Sequence, residues 1–314
     1  MNIGNFFKKM WRLLKETAIE FFEDDPMGYS ASIAFYTIFS MPAILIIVVT
    51  IAGSAYEQQA VQGGLMTQIE SLIGPQSAAE IQNILANTSE SKSSFIAKII
   101  GIGTLIFSAT TVFVSLQNGL NKIWGIRPKP ERGIIKFILN RLLSLAMIIS
   151  IGFLLLVSLM VDTMVVVFKN FLSEFLSGVT FYLVASFNLV FSIMVITFVF
   201  AMIFKILPDA KIQWKTVWVG AFVTTLLFST GKYLIGFYLG NSSVGSAYGA
   251  AGSLVLLLIW VYYSSVLVLF GAEFTYVYAR IKGHHIQPND DAVIVKIREI
   301  EKENGDVIEE TKSQ

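Results

Sequence analysis

No charged side chain occurs between residues 251 and 272, a run built almost wholly of Leu, Val, Ile, Trp, Tyr, Ser and Gly. At ~1.5 Å of rise per residue, a helix over that run is about 33 Å long, enough to cross a ~30 Å hydrocarbon layer. Glu273 interrupts the apolar stretch near its end, and Arg280 and Lys282 stop it. A helix of this kind needs lipid or other apolar helices around it. The composition agrees: 54% of the 314 residues are hydrophobic and 14% charged, where soluble domains carry about 25% charged residues. The predicted class is an all-α polytopic membrane protein. The chain has no cysteine, which excludes disulfides, thiolate catalysis and zinc–cysteine sites. Its net charge of +1 does not call for a polyanionic partner.

Hydropathy predicts six spans, at about 29–55, 95–120, 138–161, 179–204, 217–239 and 251–281, within a transmembrane domain over 26–285. Ahead of them, residues 1–25 read as an amphipathic helix: Ile3, Phe6, Phe7, Met10, Leu14, Ala18, Phe21 and Phe22 recur at helical spacing among Lys8, Lys9, Arg12 and Lys15. Two placements are open for it, the headgroup layer or the protein's own inner face. Residues 1–23 lack the uncharged core of a signal peptide, so the first span is the expected targeting signal. An outer loop over 56–94 carries two short amphipathic stretches and the sequon Asn87-Thr88-Ser89, which reads as a chance match. The tail, 286–314, is polar and mixed in charge and is expected to be mobile.

Charge placement sets the orientation. With the N-terminus inside, fifteen Lys and Arg before the tail fall on the inner side, six of them between Lys122 and Arg141, against Lys92, Lys98 and Lys169 outside. Both termini are therefore expected in the cytosol. The same rule explains the basic inner loop without nucleic acid, for which the chain shows no aromatic platform.

Four segments carry a resemblance: Ala31-Ser32-Ile33-Ala34-Phe35-Tyr36-Thr37-Ile38-Phe39-Ser40; Leu116-Gln117-Asn118-Gly119-Leu120-Asn121-Lys122-Ile123-Trp124-Gly125; Leu207-Pro208-Asp209-Ala210-Lys211-Ile212; and Tyr248-Gly249-Ala250-Ala251-Gly252-Ser253 through Gly271-Ala272-Glu273-Phe274. In this order they resemble the YihY/BrkB family of bacterial inner-membrane proteins. That family often places a proline further after its Phe-Ser pair, whereas here Pro42 follows Ser40 closely. The resemblance implies six spans and the inner membrane. It implies no secure activity: a ribonuclease BN label attached to some members is regarded as a misassignment, and others are described as virulence-associated or lipid-related.

Lys232 is the sharpest chemical feature, an ammonium inside the fifth span. Facing lipid it would cost at least ~2.5 kcal/mol, so it either lines a polar cleft or snorkels to the outer headgroups past Tyr233 and Tyr238. Tyr36, Asn118 and Arg141 complete the cleft candidates. Glu273 is expected to pair with an inner cation, Arg141 being best placed by depth, in a structural lock or a proton relay. Asn121, on the same helix face as Asn118, and Asn188 are candidates for interhelical hydrogen bonds. Gly236-x-x-x-Gly240 and Gly245-x-x-x-Gly249 are candidates for close helix contact.

Catalysis finds little footing. His284 and His285 are adjacent and diverge on a helix, no nucleophile or phosphate-cradling motif occurs, and the acids are scattered; no metal or cofactor is expected. The leading expectation is a non-enzymatic membrane protein that moves a lipid-like or amphipathic anion, with membrane lipids as partners. The alternative is a scaffold for envelope machinery with a protein partner; ribonuclease activity is the remote third.

Overall fold

The computed structural model describes residues 3–53, 95–129, 137–154, 179–241 and 251–295, with short pieces at 63–64, 66–67, 70, 78–79, 82, 135, 157, 248, 302–303 and 306–307. The outer loop, its sequon and the outer end of the third span lie almost wholly outside the described residues.

Helix α1 covers Ile3–Glu23 and α2 covers Pro26–Gly53. They are separated where Asp25 adopts a left-handed φ of 50°, a conformation that Asp tolerates, and accepts a hydrogen bond from Gly28 N at 3.3 Å. Pro26 then opens α2, where its missing N–H costs nothing. The later helices are α3 (Phe95–Ile123), α4 (Phe137–Leu154), α5 (Val179–Ile206), α6 (Trp214–Asn241) and α7 (Gly252–Ile281). Among the described residues, five stretches are long and apolar enough to cross a membrane: Pro26–Val49, Phe137–Leu154, Leu189–Ile206, Trp214–Tyr238 and Leu254–Ile281. With 29 residues, α3 also has the length. Large apolar side chains such as Phe35, Phe107, Phe153, Leu189, Phe222 and Phe237 stand exposed on the flanks, as expected where hydrocarbon replaces water.

The uncharged run that opened the sequence reading forms the centre. Helix α7 touches α1, α2, α3 and α6. Its grip on α6 is reciprocal: a Cβ on Gly220 would overlap Thr275, and a Cβ on Gly271 would overlap Thr224, each 2.8 Å from the threonine Cβ. Thr224 Oγ1 donates to Gly220 O at 2.8 Å and Thr275 Oγ1 to Gly271 O at 2.7 Å, so both hydroxyls are satisfied within their own helices. By contrast, a Cβ on Gly236 would meet nothing within 4 Å. The Gly236-x-x-x-Gly240 contact is thus not made there; the close approach uses Gly-x-x-x-Thr pairs nearer the other end, while Gly245 and Gly249 lie outside the described residues.

At one end, called the basic end below, the C-termini of α3, α5 and α7 meet the N-termini of α2 and α6. Here the expectation of a mobile tail fails for residues 287–295. Strand β1 (Ile126–Pro128) pairs antiparallel with β4 (Ala292–Ile294), and β2 (Ala210–Lys211) with β3 (Gln287–Pro288). Val295 N donates to Gly125 O at 2.8 Å and Asn289 N to Asp209 O at 2.9 Å. Backbone groups hold this strap, so its polar sequence carried no sign of docking. A small pair, β5 (Lys302–Glu303) with β6 (Asp306–Val307), follows.

Helix α1 packs against α7 along one face. Leu13, Thr17 and Phe21 are buried, Leu13 in a cluster with Phe274 and Val277 of α7, and Arg280 forks onto Glu20 at 2.8 and 2.5 Å. Its Trp11 and Phe22, three turns apart on another face, remain 72% and 69% exposed.

Candidate functional site

The second and third segments that carry the family resemblance meet the start of the first and the Gly271–Phe274 end of the fourth at the basic end. Gly119 lies where a Cβ would meet Ile33 of α2 and Leu269 of α7 at 3.7 and 3.3 Å. Trp124 Nε1 donates to Ala272 O at 3.1 Å. Asn121 and Asp209 form a two-point clasp: Asn121 Nδ2 donates to Asp209 Oδ2 at 2.9 Å, and Asp209 N donates to Asn121 Oδ1 at 2.8 Å. Gln117 Nε2 adds a 3.3 Å bond to Asp209 Oδ1. All three side chains are buried, so the polar atoms must satisfy one another. The cluster is a tie between α3 and the α5–α6 turn. Asn118, expected on the same face as Asn121, is exposed instead: three residues turn a helix by ~300°, and the 60° shortfall moves it from the clasp to the flank.

Asp24, between α1 and α2, lies 3.6 Å from Lys122. Burial raises its carboxyl above the ordinary value of 3.8, outweighing the attraction of Lys122. Asp290, on the exposed strap, pairs with Lys211 at 2.5 Å and is held below the ordinary range by that hydrogen bond.

Arg141 is not where depth counting put it. Its guanidinium donates to Phe107 O at 3.0 Å and to Thr110 and Thr111 Oγ1, each at 2.9 Å. Those partners sit 12–16 residues before the basic end of α3, ~18–24 Å into the bundle. The rings of Phe107 and Phe137 lie 4.2 and 5.1 Å from it. No carboxylate pairs with it among the described residues, and its Nε is buried without a partner. The expected Arg141–Glu273 ion pair is therefore absent, because Arg141 turns to α3 while Glu273 faces inward on α7. Glu273 is 1% exposed, and its Oε2 has no hydrogen-bond partner among the described residues. The charges around it are Asp24, Glu20 and Arg280, and Arg280 is spent on Glu20 and Glu16.

Tyr36 lies on α2 between Ile33 and Ser40, both of which meet α3, and is 40% exposed. Asn118 is on α3 and Arg141 bonds α3, while Tyr36 is on the helix that packs beside it. Lys232 does not join them. It sits on α6, one residue beyond the point where Gly231 meets Tyr263 and Leu267 of α7, ~27 Å from the start of α6. Its Nζ lies 5.9 Å from the centre of the exposed Tyr233 ring. Asn188 lies on α5, and its side chain is outside the described residues. No group of three or more His, Asp or Glu able to hold a metal occurs among the described residues.

Sequence reasoning placed Gln117 and Asp209 only within the resemblance segments and gave Thr110 and Thr111 no partner. One signal was available: Thr104, Ser108, Thr111, Ser115, Asn118 and Lys122 follow one another at spacings of four and three, a polar seam on one face of α3.

A sequence profile of the family described as virulence factor BrkB matches residues 18–293. The chain is 26% identical over 277 residues to a UPF0761 membrane protein of Saccharophagus degradans, covering 87% of this chain and 59% of that one. It is 29% identical over 247 residues to a UPF0761 membrane protein of Pseudoalteromonas atlantica, covering 78% of each. A third such protein, from a Psychrobacter species, is 26% identical over 86% of this chain and 49% of its own. The chain thus spans about half to three-fifths of the first and third relatives. No solved structure matches it.

Proposed function

Because the chain belongs to the virulence factor BrkB family of multi-pass membrane proteins, we propose that it binds and translocates a lipid-like anion across the bacterial inner membrane. In this reading it threads the bilayer six times with both termini in the cytosol. The observation that carries the proposal is Arg141. A guanidinium ~18–24 Å into a helix bundle costs several kcal/mol unless solvated or neutralised. Two threonine hydroxyls and a carbonyl solvate it, but they bring no negative charge. An anionic headgroup supplies that charge, and a guanidinium's fork suits a phosphate.

The test is transbilayer movement of fluorescent phosphatidylglycerol in proteoliposomes, followed by dithionite bleaching. The wild type is expected to exceed protein-free vesicles, Arg141→Gln to fall to the protein-free rate, and Lys232→Gln to match the wild type. Wild-type movement no faster than in empty vesicles, or an Arg141→Gln variant at full rate, overturns the reading. The scaffold reading draws on the exposed Trp11 and Phe22 of α1. A stoichiometric crosslinked envelope protein, with no lipid movement, would favour it.

A further inference from the structure

The polar seam of α3 runs 18 residues from Thr104 to Lys122, ~27 Å of helix, close to the ~30 Å thickness of a hydrocarbon core. Spacings of four and three hold such a seam to a nearly straight line, with a drift of only ~20° per heptad. Contacts place it between two helices. On one side, Ser108 Oγ donates to Phe39 O of α2 at 3.1 Å, and Ser40 Oγ of α2 donates to Ser108 O at 2.5 Å. On the other, Arg141 of α4 bonds Thr111. Thr104 and Asn118 are exposed, Ser108, Thr111 and Lys122 are half-buried, and Ser115 is buried. Phe39, Phe107 and Phe137 border the seam and are more than half exposed. The arrangement is a strip of hydroxyl and amide groups, open at its flank between apolar aromatic edges. One cation, Lys122, stands at its basic mouth, and Arg141 reaches its middle.

Resting on the translocation reading above, we propose that the seam between α2 and α4 is a laterally open track for the phosphate of a glycerophospholipid. The headgroup steps from Lys122 past Asn118 to Thr111 and Arg141, while its acyl chains remain in the surrounding bilayer. Chemistry selects this substrate class. Hydroxyls and amides replace headgroup water, the guanidinium meets the phosphate at the depth where bare passage costs most, and the aromatic flanks accept chains that an enclosed cleft would exclude. A soluble anion needs no open flank.

The cysteine-free chain permits a direct test. Single Thr111→Cys and Asn118→Cys variants are placed in vesicles of phosphatidylcholine alone or with one-third phosphatidylglycerol. Reaction with a membrane-impermeant anionic thiosulfonate is timed against Ile106→Cys and Phe222→Cys, lipid-facing controls off the seam. The seam cysteines are expected to react at least ten-fold faster than the controls in phosphatidylcholine and to slow several-fold in phosphatidylglycerol. Glycerol 3-phosphate in the buffer is expected to leave their rates unchanged. Seam reactivity equal to the controls overturns the track, as does lack of slowing by phosphatidylglycerol. Protection by glycerol 3-phosphate overturns the lipid assignment. If Arg141→Gln abolishes lipid movement while the seam cysteines stay unreactive, translocation stands and the track falls.

Discussion

Replacing Gly220 with alanine puts a methyl group where α6 and α7 leave no room for one. The new Cβ would overlap Thr275 Oγ1 and lie 2.8 Å from Thr275 Cβ, against 3.4 Å at the near edge of ordinary contact. Rotating the threonine cannot relieve the second overlap, since a Cβ moves only with its backbone. The helices must therefore part by about 0.6 Å at that level, in a bundle whose close packing resists such shifts. Thr275 Oγ1 must also leave its 2.7 Å bond to Gly271 O. Overpacking of this kind costs about 1–3 kcal/mol and the lost bond about 0.5–1.5, so Gly220→Ala is expected to destabilise by about 2–4 kcal/mol. In dodecyl maltoside, thermal unfolding followed by size exclusion should fall by roughly 5–10 °C. Gly236→Ala, with open space around it, should leave the midpoint unchanged or slightly raised. Adding Thr275→Gly to Gly220→Ala should recover part of the loss with a coupling of at least about 1 kcal/mol; Thr275→Ala should recover less, because it keeps the Cβ that remains 2.8 Å away. Equal losses at Gly220 and Gly236, or no rescue by Thr275→Gly, would refute the argument.

Asn121→Ala breaks both bonds of the clasp and leaves Asp209 short of donors in a buried setting; the expected loss is about 2–4 kcal/mol. Asn118→Ala, at an exposed position, should stay within about 0.5 kcal/mol, and similar losses at the two sites would contradict the assignment. For Asp24, burial raises the folded carboxyl above 3.8, so folding binds extra protons between that value and the folded one and stability falls as pH rises through this window. Asp24→Asn should therefore gain on the wild type between pH 4 and pH 7 in the same unfolding assay. A gap that shrinks with pH would show that the Lys122 contact outweighs burial.

The sequence alone sufficed for whatever a single helix decides for itself. The charge-free run at 251–272 had to be a long apolar helix because its length and hydropathy are local sums, and Asp25-Pro26 had to end one helix and start another because both act on their own backbone. The seam of α3 was equally local, visible as alternating spacings of three and four. Tertiary structure decided everything that depends on how two helices are rotated and offset against each other. Gly220 and Thr275 are ordinary residues until an antiparallel register sets them face to face, whereas Gly236 looked just as suited to contact and meets empty space. Arg141 had several oxygen-rich neighbours within reach of its sequence position, and only the depth of α4 beside α3 gave it Thr110 and Thr111 in place of Glu273. The strap at 287–295 docks mainly through backbone pairing, which every sequence possesses, and its side-chain anchors Asp290 and Ala292 find Lys211 and the core only once the helices have met.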